Sequence, residues 1–377
     1  GYWNYLSARA KTMFPDTLIT FGNRLPDPRM ADDCLRDGVF DYWEVCRPLL
    51  ADPDLVHKAA EDRLDEVRRC IGSLNCLSRL FRDLPYTCTM NPALGHEVEP
   101  EYQVTPAAVK KKVMVIGAGP AGMECAITAK KRGHDVTVFD KAGRIGGNLY
   151  AYAINDLARP DDLLSVISHY EAVAKKLGIE VRLNTEVHAK FMRSVLHQYD
   201  VCVIAAGASI DRGRHAHVKG AERMLDALDV AHGRVKAGQR VVVVGGGKIG
   251  LTLAESLRKH QGAEVTVIEP AKRIAGDVKP SFKWRHASWV EELGITCLTS
   301  TTLAEVGADG VRVRNAKGEE SFVPADTVIQ ADGVAPAHPL FHEFEWMIDE
   351  LHGVGDAVIP RGLEQAIQEG FRLGVRL

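Results

Sequence analysis

Three cysteines lie close together in the sequence, at a spacing that suits metal binding. Cys70, Cys76 and Cys88 stand in the segment CIGSLNCLSRLFRDLPYTC, which holds three of the eight cysteines in the 377-residue chain. Eight cysteines are too few for a disulfide scaffold in a chain of this length. We therefore expect the protein to lie in a reducing compartment, the cytoplasm, and the thiols at these three positions to bind metal. The remaining cysteines fall within predicted helices and strands and are expected to be packing residues: Cys34, Cys46, Cys125, Cys202 and Cys297.

A glycine-rich turn follows an apolar run and predicts a dinucleotide site. In VMVIGAGPAG the first glycine allows a tight turn, the second lets a diphosphate approach the backbone, and the third lets helix and strand pack closely. The next strand, DVTVFD, ends in an acid about 20 residues on, where it can accept from ribose hydroxyls. Two more glycines follow in RIGGN. The predicted site residues are Gly117, Gly119, Gly122, Asp140, Gly146 and Gly147.

A second turn of the same kind begins about 128 residues later, in VVVVGGGKIG. Its glycines are Gly245, Gly247 and Gly250, and the strand EVTVIE that follows ends in Glu269. An acid at this position accepts from a ribose diol and repels a 2′-phosphate, which favours NADH over NADPH. Nearby Lys272 and Arg273 keep NADPH open as the alternative. We expect bare amides at both turns to bind diphosphates.

Further strand ends carry small or acidic residues that would lie near a cofactor. YDVCVIAAGAS and ADTVIQADG each read as a strand that ends in small residues, where the backbone can approach a cofactor. GVGDAV lies before the last helix, and its carboxylate could accept from a cofactor hydroxyl or be a simple helix-entry acid. The residues are Ala206, Gly207, Asp332, Gly333, Gly355 and Asp356.

The elements that position these residues predict an α/β fold. Two interleaved Rossmann-like domains, at 111–232 with 331–377 and at 237–330, follow a cysteine-rich segment at 68–100. Residues 1–67 read as the last two βα units of a β/α barrel. Because two strands with both faces buried cannot close a barrel, either a partner chain supplies the rest or the chain was cut.

Charge and hydropathy exclude other classes of partner. The net charge is −3, and no basic stripe indicates nucleic acid. The longest apolar runs are too short for a membrane span. The first residues, GYWNYLSARAKTMF, lack the pattern of a signal peptide.

Residues 113–377 resemble the glutathione-reductase-like flavoproteins with two dinucleotide-binding domains. The whole chain resembles the C-terminal portion of the iron–sulfur Old Yellow Enzyme group, which includes 2,4-dienoyl-CoA reductase and trimethylamine dehydrogenase. The resemblance rests on FGN, RPLLADPDL, CIG…C…TCTMNP, GAGPAG and GVGDAV, in that order and spacing.

This resemblance implies FAD on the first nucleotide domain and NAD(H) or NADP(H) on the second. It also implies a 4Fe-4S cluster near residues 70–88 and FMN in a β/α barrel shared with a partner chain. By analogy Gly22, Asn23 and Arg47 match positions that hold the FMN phosphate. No catalytic residue carries over, because the segments that hold the family's substrate pocket and proton donor are not in this sequence.

Two residues depart from the family pattern. Ser73 stands where the family has its second cluster cysteine, and its oxygen is a harder ligand than the thiolate that iron prefers. Three outcomes are open: a 4Fe-4S cluster with Ser73 or solvent on one iron, a three-iron cluster, or no cluster. Cys46 replaces the glycine before Arg47 and adds a side chain where the FMN phosphate would lie.

The expected function is electron transfer from NADH through FAD and the cluster to FMN, which would reduce an activated C=C bond. One alternative is half of an amine dehydrogenase or demethylase that passes electrons to an electron-transfer flavoprotein. A second alternative is a scaffold subunit that holds a nucleotide permanently.

Overall fold

The computed structural model describes residues 3–336 and 339–377. Its helices are α1 (Asn4–Met13), α2 (Pro28–Arg36), α3 (Arg47–Ala51), α4 (Leu55–Ala60), α5 (Asn75–Leu80), α6 (Pro120–Lys131), α7 (Asn148–Asn155), α8 (Pro160–Leu177), α9 (Ala189–Val195), α10 (Ala227–Ala231), α11 (Lys248–Ser256), α12 (Pro280–Glu292), α13 (Pro339–Phe344) and α14 (Leu363–Arg376). Its strands are β1 (Thr20–Phe21), β2 (Tyr42–Trp43), β3 (Lys112–Ile116), β4 (Asp135–Phe139), β5 (Glu180–Arg182), β6 (Val201–Ile204), β7 (Ala208–Ile210), β8 (Leu225–Asp226), β9 (Arg240–Val244), β10 (Glu264–Glu269), β11 (Thr296–Thr299), β12 (Thr301–Val306), β13 (Gly310–Asn315), β14 (Glu320–Pro324), β15 (Thr327–Gln330), β16 (Val334–Pro336) and β17 (Glu350–Gly353).

The N-terminal segment contains one parallel pair of short strands. Thr20 of β1 lies opposite Tyr42 of β2, helix α1 contacts β1, and helix α2 contacts β2. The sequence predicted strands with both faces buried, but within this chain Leu18 is 66% exposed and Tyr42 is 56% exposed. Two strands bury too little to cover their own faces, so the burial of both faces, which assumes further barrel strands beside them, stays a prediction.

The first large sheet has five parallel strands in the order β17-β6-β3-β4-β5. Its central strand β3 is buried along nearly its whole length, with Val113, Met114 and Val115 each at 0% exposure. An apolar residue at every position suits a strand covered by helices on both faces. Helices α6, α8 and α14 provide apolar residues for this core.

The second large sheet is also parallel, in the order β11-β10-β9-β15-β8, and a three-stranded antiparallel sheet, β12-β13-β14, follows β11 in the chain. Strand β8 pairs with β15 through Leu225 and Ile329. The second sheet therefore starts earlier in the chain than the boundary at residue 237 that the sequence suggested. Such a short strand gives little periodic signal in the sequence.

The two parallel sheets are interleaved in the chain. Strand β7 leaves the first sheet, β16 returns from the second, and the two pair antiparallel, with Val334 opposite Ile210. Strand β17 then rejoins the first sheet beside β6. Among the described residues, no helix is long and apolar enough to cross a membrane.

Candidate cofactor sites

The first glycine turn lies at the carboxyl end of β3, where α6 begins. Gly117 has φ of +113°, and a Cβ there would lie 2.2 Å from the carbonyl oxygen of Ala205. A Cβ on Gly122 would lie 1.9 Å from the Gly117 carbonyl oxygen. Only glycine fits these two places, so the turn brings the start of α6 against the end of β6.

An acid lies beside this turn, as the sequence predicted. The Asp140 carboxylate accepts from the backbone amides of Ala118 at 2.6 Å and Ala142 at 2.7 Å. The second pair of glycines also folds back on the turn, because the Gly146 amide donates to the Ala118 carbonyl at 2.9 Å. A Cβ on Gly147 would lie 3.1 Å from the Cα of Gly119.

The strand ends next to this turn lie at the same carboxyl edge of the sheet. Ala206 and Gly207 follow β6, and Gly207 has φ of +75°. Asp356 follows β17, and one oxygen of its carboxylate accepts from the amides of Arg361 at 3.0 Å and Gly362 at 3.4 Å. These bonds fit the helix-entry alternative, because they hold the loop that leads into α14. Gly355, also in this loop, donates its amide to a carboxylate oxygen of Glu369 at 2.9 Å.

The second glycine turn repeats the geometry of the first. Gly245 has φ of +112°, and a Cβ on Gly250 would lie 1.9 Å from the Gly245 carbonyl oxygen. The Glu269 carboxylate accepts from the amides of Gly246 and Ala271, each at 2.8 Å. The acid is therefore fixed beside the turn, as the first acid is beside its own turn.

A second amide at this turn, besides that of Gly246, is bonded within the chain. The backbone amide of Lys248 donates to Oδ1 of Asp277 at 2.8 Å. A Cβ on Gly247 would lie 3.0 Å from Oδ2 of the same carboxylate. The sequence predicted bare amides at both turns, and for Ala118, Gly246 and Lys248 this prediction is wrong. The carboxylate comes from the loop after β10, which the motif does not include.

Asp332 and Gly333, at the end of β15, lie beside basic side chains. The Asp332 carboxylate accepts from Nε of Arg214 at 2.8 Å and lies 2.9 Å from Nε2 of His215. A Cβ on Gly333 would lie 2.4 Å from the Arg214 side chain. The Arg214 side chain thus lies against Gly333, and the approach of this backbone to a cofactor stays a prediction.

Tyr152 lies between the two turns, a position that the sequence analysis missed. The Lys248 ammonium nitrogen lies 5.1 Å from the centre of the Tyr152 ring, which joins α7 to α11. Burial, followed by the carboxylates of Asp356 and Asp277, raises the pKa of Tyr152 above its usual value. The side chain is thus close to the carboxylates that flank each nucleotide turn.

The three predicted metal ligands line one recess. Burial raises the pKa of Cys88, and the neighbouring Cys70 and Cys76 raise it further. The backbone amide of Met90 donates to Sγ of Cys88 at 3.4 Å. The residues around the recess are Arg47, Leu50, Cys70, Ile71, Gly72, Ser73, Leu74, Cys76, Cys88, Thr89 and Met90.

The recess brings together the three cysteines that the sequence singled out as metal ligands. Among the described residues, no three His, Cys, Asp or Glu side chains converge to hold a single metal ion. Three thiols around one recess fit three thiolate ligands of an iron–sulfur cluster. The fourth position differs, because the Ser73 hydroxyl lies 2.8 Å from the Thr89 hydroxyl and the two form a hydrogen bond.

Arginines surround the loop that carries Cys70. Arg24 donates to the Cys70 carbonyl at 3.3 Å, and Arg159 donates to the carbonyls of Ile71 at 2.9 Å and Gly72 at 2.7 Å. These bonds fix the backbone of the loop.

The residues that match FMN-phosphate positions follow the two short strands. Gly22 follows β1, and a Cβ there would lie 2.3 Å from the Glu44 carbonyl oxygen, while Asn23 is exposed. Arg47 follows β2 and lines the cysteine recess. Cys46 is exposed, so the prediction that it packs in the interior is wrong. By contrast, Cys125 and Cys202 are buried, and burial raises the pKa of each to about 12.

A buried ion pair attaches the cysteine segment to the first nucleotide domain. The Arg68 guanidinium donates to both carboxylate oxygens of Glu124 on α6, at 2.7 and 3.0 Å. It also donates to the Met90 carbonyl at 2.8 Å, and the Tyr170 hydroxyl lies 3.2 Å from the same carboxylate. Arg68 thus holds both cysteine-bearing stretches against the helix that starts at the first turn.

A second junction joins the cysteine segment to both nucleotide domains. Asn75 donates from its side chain to Glu364 on α14 at 2.6 Å. The Lys279 ammonium donates to Oδ1 of Asn75 and to Glu364, each at 2.9 Å. Asn75 is next to Cys76 in the sequence, and Lys279 immediately precedes α12. The segment is thereby held at a fixed position between the domains.

The fold and these sites define a flavoprotein with two dinucleotide-binding domains. Each parallel sheet has a glycine turn and an acid at its carboxyl edge, which is where such folds bind dinucleotides. Residues 111–354 match the family described as pyridine nucleotide-disulphide oxidoreductase, and the chain belongs to this family. Membership places the chain among the NAD(P)H-dependent flavin oxidoreductases and supports FAD and NAD(P)H as its nucleotides.

Longer proteins resemble the whole chain. It is 32% identical to the metal reductase of Desulforamulus reducens, with 100% of this chain and 60% of that protein matched. It is also 32% identical to the cinnamate reductase of Clostridium sporogenes, with 95% and 53% matched. The solved structure of 2-naphthoyl-CoA reductase with 2-naphthoyl-CoA is 34% identical with a TM-score of 0.94, and covers 100% of this chain and 56% of its own. The chain thus spans between 53% and 60% of these relatives.

Proposed function

We propose that the chain is the electron-entry part of a flavin and iron–sulfur oxidoreductase of the Old Yellow Enzyme-like group. NADH binds at the second turn and gives a hydride to FAD at the first, leaving NAD⁺. Single electrons then pass through a 4Fe-4S cluster to FMN in a β/α barrel. There two electrons and two protons reduce an activated, enoyl-type C=C bond to a single bond.

The position of the cysteine recess is the single observation that carries this proposal. Ile71 and Met90, from the two cysteine-bearing stretches, belong to the same buried core as Val115 of β3. Cys70 and Cys88 pack against that core. A cluster in the recess would therefore lie against the domain that we propose to bind FAD, and clusters carry one electron at a time.

We propose that each of the two domains binds a different nucleotide. In the first, the glycine turn and Asp140 would hold the adenosine diphosphate of FAD, and the loop at Asp356 would lie near the flavin. In the second, the turn and Glu269 would hold NADH. Cys70, Cys76 and Cys88 would supply three thiolates to the cluster.

A barrel-completing partner subunit is part of the proposal. Strands β1 and β2 end near Gly22 and Arg47, which we propose to contact the FMN phosphate. Large apolar side chains around these strands are exposed, as expected of a surface that further barrel strands cover. The exposed residues are Trp3, Tyr5, Leu6, Met13, Phe14, Leu18, Met30, Leu35, Tyr42 and Val56.

The names of two relatives support the proposed substrate class. Cinnamate reductase and 2-naphthoyl-CoA reductase are both named for reduction of unsaturated substrates. We propose the same class for the assembled protein, with the barrel deciding which substrate binds.

Anaerobic rapid mixing of the FAD-loaded protein with NADH tests the proposed direction of flow. The expected result is near-stoichiometric loss of flavin absorbance. If neither NADH nor NADPH bleaches the flavin, electrons do not enter at the second turn.

One observation favours a second function, half of an amine dehydrogenase that passes electrons to an electron-transfer flavoprotein. The Asp277 carboxylate accepts from the Lys248 amide at the second turn. A carboxylate in this place is expected of a nucleotide domain that has a structural role and binds no NADH. Amine dehydrogenases also occur among the more distant relatives. Flavin bleaching by an amine in the assembled protein, with no response to NADH, would identify this function.

A further inference from the structure

We propose that Asp277 is a gate residue for the second glycine turn. Its carboxylate accepts from the Lys248 amide at the start of α11, beside the glycine turn where the diphosphate of a nicotinamide nucleotide would bind. The nucleotide binds only after this side chain has turned away. This inference rests on the proposed function, in which NADH binds at this turn.

The gate follows from competition between two anions for one helix end. Asp277 accepts from the Lys248 amide at 2.8 Å, and its second oxygen lies 3.0 Å from the place of a Cβ on Gly247. Amides and the positive end of the helix dipole attract either a carboxylate or a diphosphate. The two groups repel each other, so both cannot occupy the site at full charge.

At the first turn Pro120 takes the place of Lys248 and has no amide hydrogen to donate, and among the described residues no carboxylate approaches Gly119 as Asp277 approaches Gly247. The nearest atom that a Cβ on Gly119 would meet is the Cα of Gly147, at 4.0 Å. The acids at the strand ends, Asp140 and Glu269, bond in the same way at the two turns. The two turns therefore differ in the amide at the start of the helix and in the carboxylate that accepts from it, close to where the diphosphate would bind.

The backbone that carries the gate is held in place. The Ala275 amide donates to the Gly246 carbonyl at 2.8 Å, and Ala275 packs with Leu251 of α11. Ala275 has φ of +59°, a conformation that alanine adopts only where its surroundings hold it there. Lys279, two residues beyond Asp277, is fixed in the junction with Asn75.

Because the backbone is held and the Asp277 side chain is exposed, a rotation about its side-chain bonds opens the gate. No loop has to leave the surface. The rotation costs free energy, because it breaks the hydrogen bond between Asp277 and the Lys248 amide. This cost lowers the affinity of every ligand whose diphosphate binds at this turn. A ligand without phosphate does not meet the carboxylate.

The test compares the FAD-loaded wild type with Asp277→Asn by isothermal titration with NADH, ADP and adenosine. Removing the charge should lower the Kd of NADH and ADP by about tenfold, the size of a favourable helix-end interaction. The Kd of adenosine should not change. Asp277→Ser should behave like Asp277→Asn. Asp309→Asn, an equal charge change on an exposed turn of the same domain, is the control and should match the wild type.

If the wild type and Asp277→Asn bind NADH with the same Kd, and bind ADP with the same Kd, the gate is wrong. The proposal that NADH binds at this turn is not contradicted by that result. An equal gain in Asp309→Asn, or an equal gain for adenosine, also overturns the gate. If no variant binds NADH or ADP, both the gate and the proposed NADH entry fail.

Discussion

Asp140 and Glu269 occupy equivalent places in the two nucleotide domains. Each accepts from the amide of the residue after the first glycine of its turn, Ala118 at 2.6 Å and Gly246 at 2.8 Å. Each acid thus fixes its turn, at the place where we propose that the ribose of a dinucleotide binds. The two residues differ in which cofactor we propose them to select.

Replacing Glu269 should change the preference between nicotinamide nucleotides. Glu269→Ser removes the charge that repels a 2′-phosphate, and Lys272 and Arg273 lie close behind in the sequence. We expect the ratio of kcat/KM for NADPH over NADH to rise about tenfold. Steady-state diaphorase assays with each nucleotide measure this ratio. Asp140→Ser is the control, and an equal shift in both variants, or none in Glu269→Ser, removes Glu269 from the site.

Breaking the Arg68–Glu124 pair should destabilise the protein. Glu124 is 0% exposed, so Glu124→Gln leaves the Arg68 guanidinium with an uncompensated buried charge. We expect a loss of about 3 kcal/mol in the free energy of unfolding. Urea titration followed by circular dichroism measures the loss.

Glu320→Gln is the control for this loss, because Glu320 pairs with Arg314 on an exposed sheet. Its unfolding midpoint should stay close to that of the wild type. A Glu124→Gln midpoint as high as that of the control would contradict a structural role for the pair.

Restoring a cysteine at position 73 should strengthen iron binding. Ser73 lines the same recess as the three cysteines, so Ser73→Cys places a fourth thiol there. We expect iron to rise to about four per chain in anaerobically purified protein, with slower loss to a chelator. Iron and acid-labile sulfide analysis measures both. Ser78→Cys is the control, because Ser78 lies on α5 and is not among the residues that line the recess. An equal gain in iron content in Ser78→Cys would contradict the prediction.

Acid should destabilise the protein through His232. Burial, followed by the charge of Arg234, lowers the pKa of His232 from 6.5 to about 4. Between these values the unfolded chain binds a proton that the folded protein does not, so stability is lost as pH falls from about 6.5 towards 4. We expect a loss of about 2 kcal/mol from this group, after its partial contact with solvent is allowed for.

Comparison of the wild type with His232→Gln isolates this contribution, because glutamine does not titrate. The variant should lose less stability than the wild type when urea unfolding at pH 7 is repeated at pH 5. If the free energy of unfolding falls by the same amount in both proteins between pH 7 and pH 5, protonation of His232 is not the cause of the loss.

The amino-acid sequence by itself determined the two nucleotide turns and the strands before them. Gly117 and Gly245 need positive φ, and apolar runs such as Val241–Val244 suit strands buried on both faces. These constraints are local, so the spacing of glycines, apolar runs and acids reports them directly. The cysteine segment was recognisable for the same reason, since its three thiols lie within 19 residues.

Only the tertiary structure decided what lies against those motifs. Arg68 reaches Glu124 across 56 positions, Lys279 reaches Asn75 across 204, and Asp277 reaches the Lys248 amide across 29. No periodicity or motif connects such residues, because each contact depends on how whole helices and sheets pack. The pairing of the short strand β8 and the exposure of Cys46 also depend on this packing, so the sequence did not predict them. Local geometry therefore fixes where a dinucleotide can bind, and long-range packing fixes which charges meet it there.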